Sequence, residues 1–293
     1  MNEKTAAEYY RIIKHMSDAF VVDAGGEERP VRARKKVKLS GGLVVGDFVA
    51  IAKEGDGWVI ESAAPRKNEL IRPAVANIDQ IVIVAAPVPL TDYYLIDKLL
   101  IHCRKTGIDC AICYNKADLR GDEAAVLKSQ YKKSGVKIVS VSAIQNELEP
   151  LRALVLGKLT CLAGQSAVGK STITNALLGE ARIKTGTVSE RTERGKNTTT
   201  TAQIYPIGAQ TFLVDTPGFS MLDNVDIPPE ELGAYYPEFE KYAPLCRFGG
   251  CCHDREPDCA VAEAAEKGRI SQERYARYKR LYQELKAAGR KRK

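Results

Sequence analysis

The feature that most constrains this chain is a glycine-rich segment, Gly164–Ser171, that lies between an apolar run and a helical pattern. Its sequence, GQSAVGKS, matches the pattern of a phosphate-binding loop. Glycines let the backbone curl until its N–H groups face phosphate oxygens, and the helix amino terminus adds a partial positive charge. The segment therefore predicts a nucleotide site, with Lys170 at the β- and γ-phosphates and Ser171 on Mg²⁺. The candidate nucleotide contacts here are Gly164, Gln165, Ser166, Ala167, Val168, Gly169, Lys170, Ser171 and Thr172.

Short apolar runs alternate with helical patterns from about residue 78 onward. Continuous runs rich in β-branched residues are typical of parallel strands buried on both faces. The pattern predicts an α/β doubly wound sheet whose ligands bind at the carboxyl ends of the strands. The predicted strands are Ile81–Ala86, Cys110–Tyr114, Ile138–Val141, Leu159–Ala163 and Phe212–Val214, and the predicted helices are Tyr93–Lys105, Glu123–Ser134 and Ser171–Leu178.

A second motif, NKAD, begins at Asn115, directly after another predicted strand. The Asp118 carboxylate can accept hydrogen bonds from N1–H and the exocyclic amine of guanine, whereas adenine has no matching donors. Ser142 and Ala143 follow the next strand, where a backbone N–H can reach the guanine O6. Together with Lys116, these residues favour a guanine nucleotide over the alternative, a P-loop kinase or ATPase.

A third motif, DTPG, begins at Asp215, and a threonine-rich segment at residues 195–200 precedes it. We expect Asp215 to hold Mg²⁺ through water and Thr199 to complete the Mg²⁺ shell when GTP is bound. The Gly218 N–H would contact the γ-phosphate. Phe219 stands where many GTPases carry a glutamine that orients water, which predicts slow intrinsic hydrolysis.

The order of these motifs is permuted, because the guanine motif precedes the phosphate-binding loop. A circular permutation preserves the pocket, since the strands stay in one sheet and only the exit points of the chain change. The segment after Gly218 then leads directly into the C-terminal region. We hypothesise that a motion triggered by the γ-phosphate is transmitted to residues 246–293.

The N-terminal region shows short strand patterns separated by glycine turns, which is typical of a small barrel such as an OB-fold. Four strands are predicted there, at Ala19–Ala24, Val31–Leu39, Asp47–Lys53 and Trp58–Ala64. Positive charge is concentrated in two places, which suits a polyanion such as RNA, although a solvated face is the alternative. One is the C-terminal stretch 269–293, with ten Lys or Arg against two Asp or Glu, and the other comprises Arg29, Arg32, Arg34, Lys35, Lys36 and Lys38.

A stripe of aromatic and apolar residues runs along the same C-terminal stretch. Tyr275, Tyr278, Tyr282 and Leu285 recur at helical spacing, and Lys or Arg residues occupy the other faces. The stripe predicts a helix that packs through its tyrosines, rather than one that stacks them on bases.

Eight cysteines are present, and they fall into two groups. Cys246, Cys251, His253 and Cys259 offer three thiolates and one imidazole, a closed tetrahedral set for one structural Zn²⁺. Cys252 is the spare thiol and could exchange with Cys251. The other four, predicted to be buried core thiols, are Cys103, Cys110, Cys113 and Cys161.

The first eleven residues carry charges and no apolar stretch, so no signal peptide is predicted. The longest apolar run, Ile81–Leu90, is too short to cross a membrane. We therefore expect a cytoplasmic protein with no membrane partner.

In this order, the motifs resemble those of the ribosome small subunit-dependent GTPase family (RsgA, also called YjeQ or EngC). The likeness extends over nearly the whole chain and includes the segments Pro65–Asn68, Arg72-Pro73 and Ala76–Gln80. The resemblance implies an OB-fold RNA-binding domain at residues 1–66 and a circularly permuted GTPase domain at residues 67–225. It implies a mainly α zinc-binding domain with a basic C-terminal helix at residues 226–293.

The resemblance also implies docking of a monomer on the small (30S) ribosomal subunit, contacts to 16S rRNA and a role late in subunit maturation. GTP would be hydrolysed to GDP in a Mg²⁺-dependent reaction that the subunit stimulates. The family's switch often reads Gly-x-His-Thr-Thr-Thr, with the histidine a proposed catalytic group, whereas Asn197 takes that place here. Asparagine can orient water but cannot act as a base near neutral pH. An RNA-binding scaffold that holds guanine nucleotide with little turnover is the alternative.

Overall fold

The computed structural model of the protein describes residues 8–34, 37, 42–71, 73–119, 121–185, 202–215 and 225–291. Its strands are β1 (Tyr9–His15), β2 (Phe20–Asp23), β3 (Glu28–Ala33), β4 (Phe48–Glu54), β5 (Gly57–Ala63), β6 (Glu69–Ile71), β7 (Ala74–Ala76), β8 (Gln80–Ala85), β9 (Asp109–Tyr114), β10 (Lys137–Ser140), β11 (Leu159–Ala163), β12 (Gln203–Gly208) and β13 (Thr211–Asp215). Its α-helices are α1 (Tyr93–Thr106), α2 (Glu123–Tyr131), α3 (Glu149–Val155), α4 (Lys170–Thr185), α5 (Ala260–Glu266) and α6 (Gln272–Lys291). Within the described residues, three 3₁₀ helices cover Pro229–Tyr235, Pro237–Phe239 and Ala243–Leu245.

The chain forms two compact units, each drawn from three separate stretches of sequence. The first unit comprises Met1–Val82, Leu151–Leu162 and Lys170–Phe219. The second comprises Ile83–Pro150, Ala163–Gly169 and Ser220–Lys293.

The first unit contains a closed five-stranded barrel. Its strand order is β1-β2-β3-β5-β4, and β4 pairs with β1 to close the ring. β3 and β5 run parallel, whereas the other neighbouring strands are antiparallel. Buried aliphatic side chains fill the interior, among them Ile12, Val22, Val31, Val49 and Ile60. This topology confirms the predicted OB-fold barrel.

Two barrel strands differ from the predicted ones. β1 precedes the first strand predicted from the sequence, and β3 begins at Glu28 rather than at Val31. Residues 35, 36, 38 and 39 of the predicted strand lie outside the described residues. The reason for the second shift is a tight turn after β2. Ala24 N–H donates to Glu27 O at 2.8 Å, which places Glu28 opposite Asp23.

Polar side chains fasten the barrel to the segment that follows it. Asp47 is fully buried and accepts a hydrogen bond from Arg66 Nε at 2.7 Å. The Asn68 side chain makes two hydrogen bonds to the backbone of Ile78, at 2.8 and 2.9 Å. Asn77 Nδ2 donates to Gly46 O at 3.0 Å. These contacts give the family-like segments Pro65–Asn68 and Ala76–Gln80 a structural role.

The first unit also contains the strand sequence β11-β13-β12, which continues into β1 of the barrel. β11 and β13 are parallel, with Leu159 opposite Phe212. β12 is antiparallel both to β13 and to β1, where Gln203 lies opposite Lys14. The strand at β12 is not among those predicted from the sequence. Helix α4 runs to Thr185, beyond the predicted end at Leu178.

The second unit contains the strand sequence β10-β9-β8, with β9 and β10 parallel. β8 passes into this unit at Ile83. Helix α1 begins at a capping aspartate, Asp92, whose Oδ1 accepts from Leu95 N–H at 2.9 Å. The helix ends at Gly107, which adopts the left-handed conformation that favours glycine.

The C-terminal part of the second unit packs around an apolar cluster. Tyr275, Tyr278 and Tyr282 of α6 are each buried in it, which confirms the predicted packing role of the tyrosine stripe. Cys103, Cys113 and Cys161 are buried as predicted, whereas Cys110 is half-buried. Among the described helices, none is both long enough and apolar enough to cross a membrane.

Candidate functional site

The phosphate loop, Gly164–Ser171, connects β11 to α4 and has backbone angles that require glycine at both ends. Gly164 has φ +124°, and a Cβ there would lie 2.3 Å from Val84 O. Gly169 has φ +99°, and its Cβ would lie 2.2 Å from Asn115 Nδ2. Any larger residue would collide with the adjoining backbone or side chain, so the glycines are set by close approach as well as by φ.

The surface of the loop is open to a ligand. Ser166, Ala167, Ser171 and Thr172 are exposed, whereas Val168 is buried and anchors the loop. Ala167 has φ +63°, so its peptide units turn away from the ordinary helical path. Helix α4 begins at Lys170, and burial lowers the pKa of that lysine. Successive turned peptides before a helix amino terminus form an anion-binding concavity.

Asn115 and Lys116 hold the phosphate loop from the side of β9. The Asn115 side chain is buried, and its Nδ2 donates to Val168 O at 2.9 Å. Lys116 Nζ donates to Ala167 O at 3.0 Å and also to Val88 O at 2.7 Å. Two neighbouring side chains of the guanine motif thus fix the position of the loop.

Asp118 and Ser142 form the second half of the candidate base site. Asp118 is exposed, and its Oδ1 accepts a hydrogen bond from the buried Ser142 hydroxyl. The bond orients the carboxylate. Ala143 N–H donates to Asn115 Oδ1 at 3.1 Å. Ser142 and Ala143 are the two residues whose N–H groups the sequence offers to guanine O6; that of Ala143 is engaged with Asn115 here, and the assignment stays a prediction.

The segment between β8 and α1, residues 86–92, is a part of the site that the sequence analysis does not identify. Val88 O accepts from Lys116, and Asp92 N–H donates to Gln165 Oε1 at 3.3 Å. The Thr91 hydroxyl closes the segment by donating to Ala86 O at 2.8 Å. Two prolines and the helix-capping aspartate mark a turn in the sequence, but its contacts depend on the fold.

Several predicted catalytic residues lie outside the described residues. These are Asn197, Thr199, Gly218 and the neighbouring Phe219. The backbone of Asp215 is described, and it ends β13 opposite Gln203. Its role in Mg²⁺ binding and those of Ser171 and Thr199 stay predictions.

The four predicted zinc ligands converge. The ligand atoms of Cys246, Cys251, His253 and Cys259 all lie within 4.8 Å of one another. Cys246 Sγ lies 3.6 Å from His253 Nδ1 and 3.9 Å from Cys259 Sγ. Tetrahedral Zn²⁺ with ordinary bond lengths requires about 3.5 Å between S and N ligands and about 3.8 Å between two S ligands. The donor set and its spacing fit a zinc ion.

Surrounding groups hold these ligands in place. Tyr275 donates to His253 O at 2.8 Å, and the Cys259 sulfur accepts from Ala262 N–H at 3.4 Å. Burial lowers the pKa of His253, which keeps the imidazole neutral and able to ligate. Burial raises the pKa of the Cys251 thiol to about 12, so its thiolate needs a cation beside it at neutral pH.

The candidate basic surfaces are partly neutralised. Arg34 of the barrel lies 2.9 Å from Glu54 and 3.4 Å from Glu61. The Arg29 guanidinium carbon lies over the Trp58 ring, 4.5 Å from the ring centroid. In the C-terminal stretch, Arg274 is not exposed to solvent but is buried in ion pairs. Lys35, Lys36, Lys38 and the last two residues lie outside the described residues.

The family described as RsgA GTPase matches residues 63–225, more than half of the chain. The chain belongs to the RsgA GTPase family. The small ribosomal subunit biogenesis GTPase RsgA of Agathobacter rectalis is 41% identical over 287 residues, which are 95% of this chain and 94% of that protein. This match, over nearly the whole length, confirms the resemblance drawn from the order of the motifs.

Two solved structures have the same fold. The crystal structure of YjeQ from Thermotoga maritima is 34% identical, covers 94% of this chain and 98% of its own, and has a TM-score of 0.80. YloQ, described as a circularly permuted GTPase, is 30% identical, covers 98% of this chain and 99% of its own, and has a TM-score of 0.77. The barrel, the central α/β region and the Cys/His cluster therefore form the architecture predicted for this RsgA GTPase.

Proposed function

We propose that this chain is a Mg²⁺-dependent GTP hydrolase that binds the small ribosomal subunit and its 16S rRNA and acts late in maturation of the subunit. The observation that carries the proposal is the junction between the guanine motif and the phosphate loop. Asn115 and Lys116 bond to Val168 O and Ala167 O, so a base at Asp118 and phosphates at the loop share one rigid frame. Family membership supports the reaction and the partner.

The proposed roles follow the chemistry of the side chains. Asp118 selects guanine, and Lys170 neutralises charge on the β- and γ-phosphates. Ser171, Thr199 and Asp215 would hold Mg²⁺, and the bound ion would stabilise negative charge on the γ-phosphate oxygens. Gly218 N–H contacts the γ-phosphate, and Asn197 orients the attacking water.

One structural Zn²⁺ at Cys246, Cys251, His253 and Cys259 is part of the proposal. Four protein ligands leave no open position on a tetrahedral ion, which favours a structural role over a catalytic one. The proposed domain division at 66/67 and 225/226 assigns rRNA binding to the barrel and to the basic end of α6. A half-buried arginine over an aromatic ring, as at Arg29 and Trp58, supports contact with RNA.

The decisive experiment is multiple-turnover GTP hydrolysis by the purified chain alone, with small subunits and with large subunits. A large increase with small subunits only is the expected result. Tight binding of guanine nucleotide without stimulation by either subunit would instead favour the scaffold function, which Asn197 and Phe219 make chemically reasonable. Replacement of Asn197 by histidine would then be the first change to test.

A further inference from the structure

A buried ion cluster joins helix α1 to helix α6 in the second unit. Arg274 and Asp97 are each 1% exposed, and their side chains form an ion pair. Arg274 also pairs with Glu238, which is 7% exposed. Arg277 Nε lies 2.5 Å from Asp97 Oδ2. In this Asp97 cluster, two arginines and two carboxylates neutralise one another away from water.

Aromatic rings and an amide frame the cluster. The Arg274 guanidinium lies 4.7 Å from the ring centroid of Tyr131 and 4.9 Å from that of Tyr236. The Tyr131 hydroxyl donates to Asp97 Oδ1 at 2.9 Å, and Arg277 Nη1 donates to Gln130 Oε1 at 2.8 Å. A planar guanidinium stacked between rings and paired at its edge has little freedom to move.

The first turn of α1 contacts the phosphate loop. Asp92 N–H donates to Gln165 Oε1, and the side chain of the same aspartate caps the helix. Leu95 and Ile96 line one small cavity together with Gly164 and Gln165. A shift of the helix would therefore disturb the first two residues of the loop.

Asp97 lies five residues after Asp92, which corresponds to about 7.5 Å along the helix axis. A helical segment this short behaves as a rigid body, so the position of Asp97 sets the position of the turn that touches Gln165. Burying four charges contributes little net stability compared with an apolar contact of the same size. The fixed geometry of the cluster is thus its most evident physical effect.

We propose that Asp97 is a positioning residue for the phosphate loop, held by Arg274 and Arg277 so that the first turns of α1 keep Gln165 in place. The C-terminal helix then sets the affinity for the nucleotide through α1 without touching the ligand. The inference rests on the proposed function, because it takes a guanine nucleotide as the ligand of the loop.

The test compares Arg277→Met with a matched control, Lys267→Met, in the full chain. Lys267 directly follows α5, pairs with Glu263 of that helix and is exposed, so its removal leaves α1 untouched. For each variant, the Kd for GDP with Mg²⁺ and the hydrogen exchange of residues 92–96 and 164–169 are measured well below the melting temperature. We expect Arg277→Met to raise the Kd on the order of fivefold or more and to speed exchange in both segments. Arg277→Lys should recover much of the affinity, because it restores a cation beside Asp97.

A lower melting temperature with unchanged Kd and unchanged exchange at residues 164–169 would show that the cluster is only structural and would overturn the proposal. If Arg277→Met does not fold, the wild-type chain still provides a test. Saturating GDP should slow exchange at residues 274–278 as well as in the loop, and the absence of that protection would equally overturn the proposal. Failure of the wild-type chain to bind GDP would reject the proposed function. Hydrogen exchange at residues 164–169 in the nucleotide-free variants would still test the link between the Asp97 cluster and the phosphate loop.

Discussion

At the scale of single residues, Asn115 is the centre of the candidate nucleotide site. Its amide donates to Val168 O and accepts from Ala143 N–H, so both ends of one side chain are used by the protein. A buried amide with both groups satisfied stabilises a single arrangement of the loops around it. Base recognition is then left to Asp118, which is exposed.

Asp118→Asn should change the preference of the site from guanine to xanthine nucleotides. The amide places a donor where guanine also presents a donor, and it suits the carbonyl at C2 of xanthine. By analogy with other sites that recognise a polar group, the GDP affinity should fall by about 100-fold or more. Parallel titrations with GDP and XDP provide the measurement. Equal loss of both affinities would indicate that Asp118 acts on the loop rather than on the base.

Gly169→Ala should disrupt the phosphate loop, because a Cβ there would lie 2.2 Å from Asn115 Nδ2. Gly157 provides the matched control, since it has φ +71° but a Cβ added to it would meet no atom within 4 Å. Both substitutions carry the cost of a left-handed alanine, about 1–2 kcal/mol. Only Gly169→Ala should also weaken GDP binding, as measured by titration. Comparable binding by the two variants would contradict this account of the loop.

At the scale of helices and strands, the ion pairs of α6 fall into two kinds. Arg274 is buried between two carboxylates, whereas Arg280 makes an exposed pair with Glu284 at 3.1 Å. Removing one member of a buried pair leaves its partners charged without compensation, but an exposed pair is well screened by water.

Arg274→Ala should therefore lower the free energy of unfolding by about 3–5 kcal/mol. Arg280→Ala should change it by no more than about 1 kcal/mol. Chemical denaturation of both variants at the same pH gives the comparison. Similar midpoints for the two would mean that water enters the Asp97 cluster and solvates the charges.

Removal of the proposed zinc ion should loosen the segment from Cys246 to Cys259. The ligands belong to a stretch of 3₁₀ helices and turns with little regular hydrogen bonding, so the ion supplies much of its order. We expect one zinc per chain by elemental analysis and a lower melting temperature after chelation. Cys259→Ser should lose the metal, whereas the nearby Cys252→Ser should retain it. Full zinc content in Cys259→Ser would contradict the proposed ligand set.

The sequence predicts an element well where a local residue pattern determines it. It predicts an element poorly where pairing with strands distant in sequence determines it. The phosphate loop was found from its glycines, and both glycines prove to be required by close contacts. Strand β12 was not predicted, because it contains Pro206 and alternates irregularly, and its pairing with β13 and β1 comes from the fold. Arg274 belongs to a stretch that the composition marks as basic and solvated, and only tertiary packing reveals that it is internal.

At the scale of the whole molecule, charge should control the affinity for RNA. Protein cations that neutralise phosphates release the counterions condensed on the RNA, so log K should fall with log salt by roughly 0.7 per contact on single strands and 0.9 on duplex. Removing Arg290–Lys293 should weaken binding to 16S rRNA and reduce that slope, as measured by titrations at several salt concentrations. Lack of any salt dependence would contradict electrostatic docking.

The pairing of the barrel with its neighbouring strands also fixes the order in which parts of the chain can fold during synthesis. One edge of β1 is shared: its first residues pair with β4, and Lys14 near its end pairs with Gln203 of β12. A chain leaving the ribosome at roughly 5–20 residues per second presents β12 on the order of 10–40 s after β1. During that interval the barrel can close, but the end of β1 keeps an unpaired edge, which is a template for association with other strands. Nascent chains of this protein are therefore most prone to aggregation after the barrel has formed and before β12 has been synthesised.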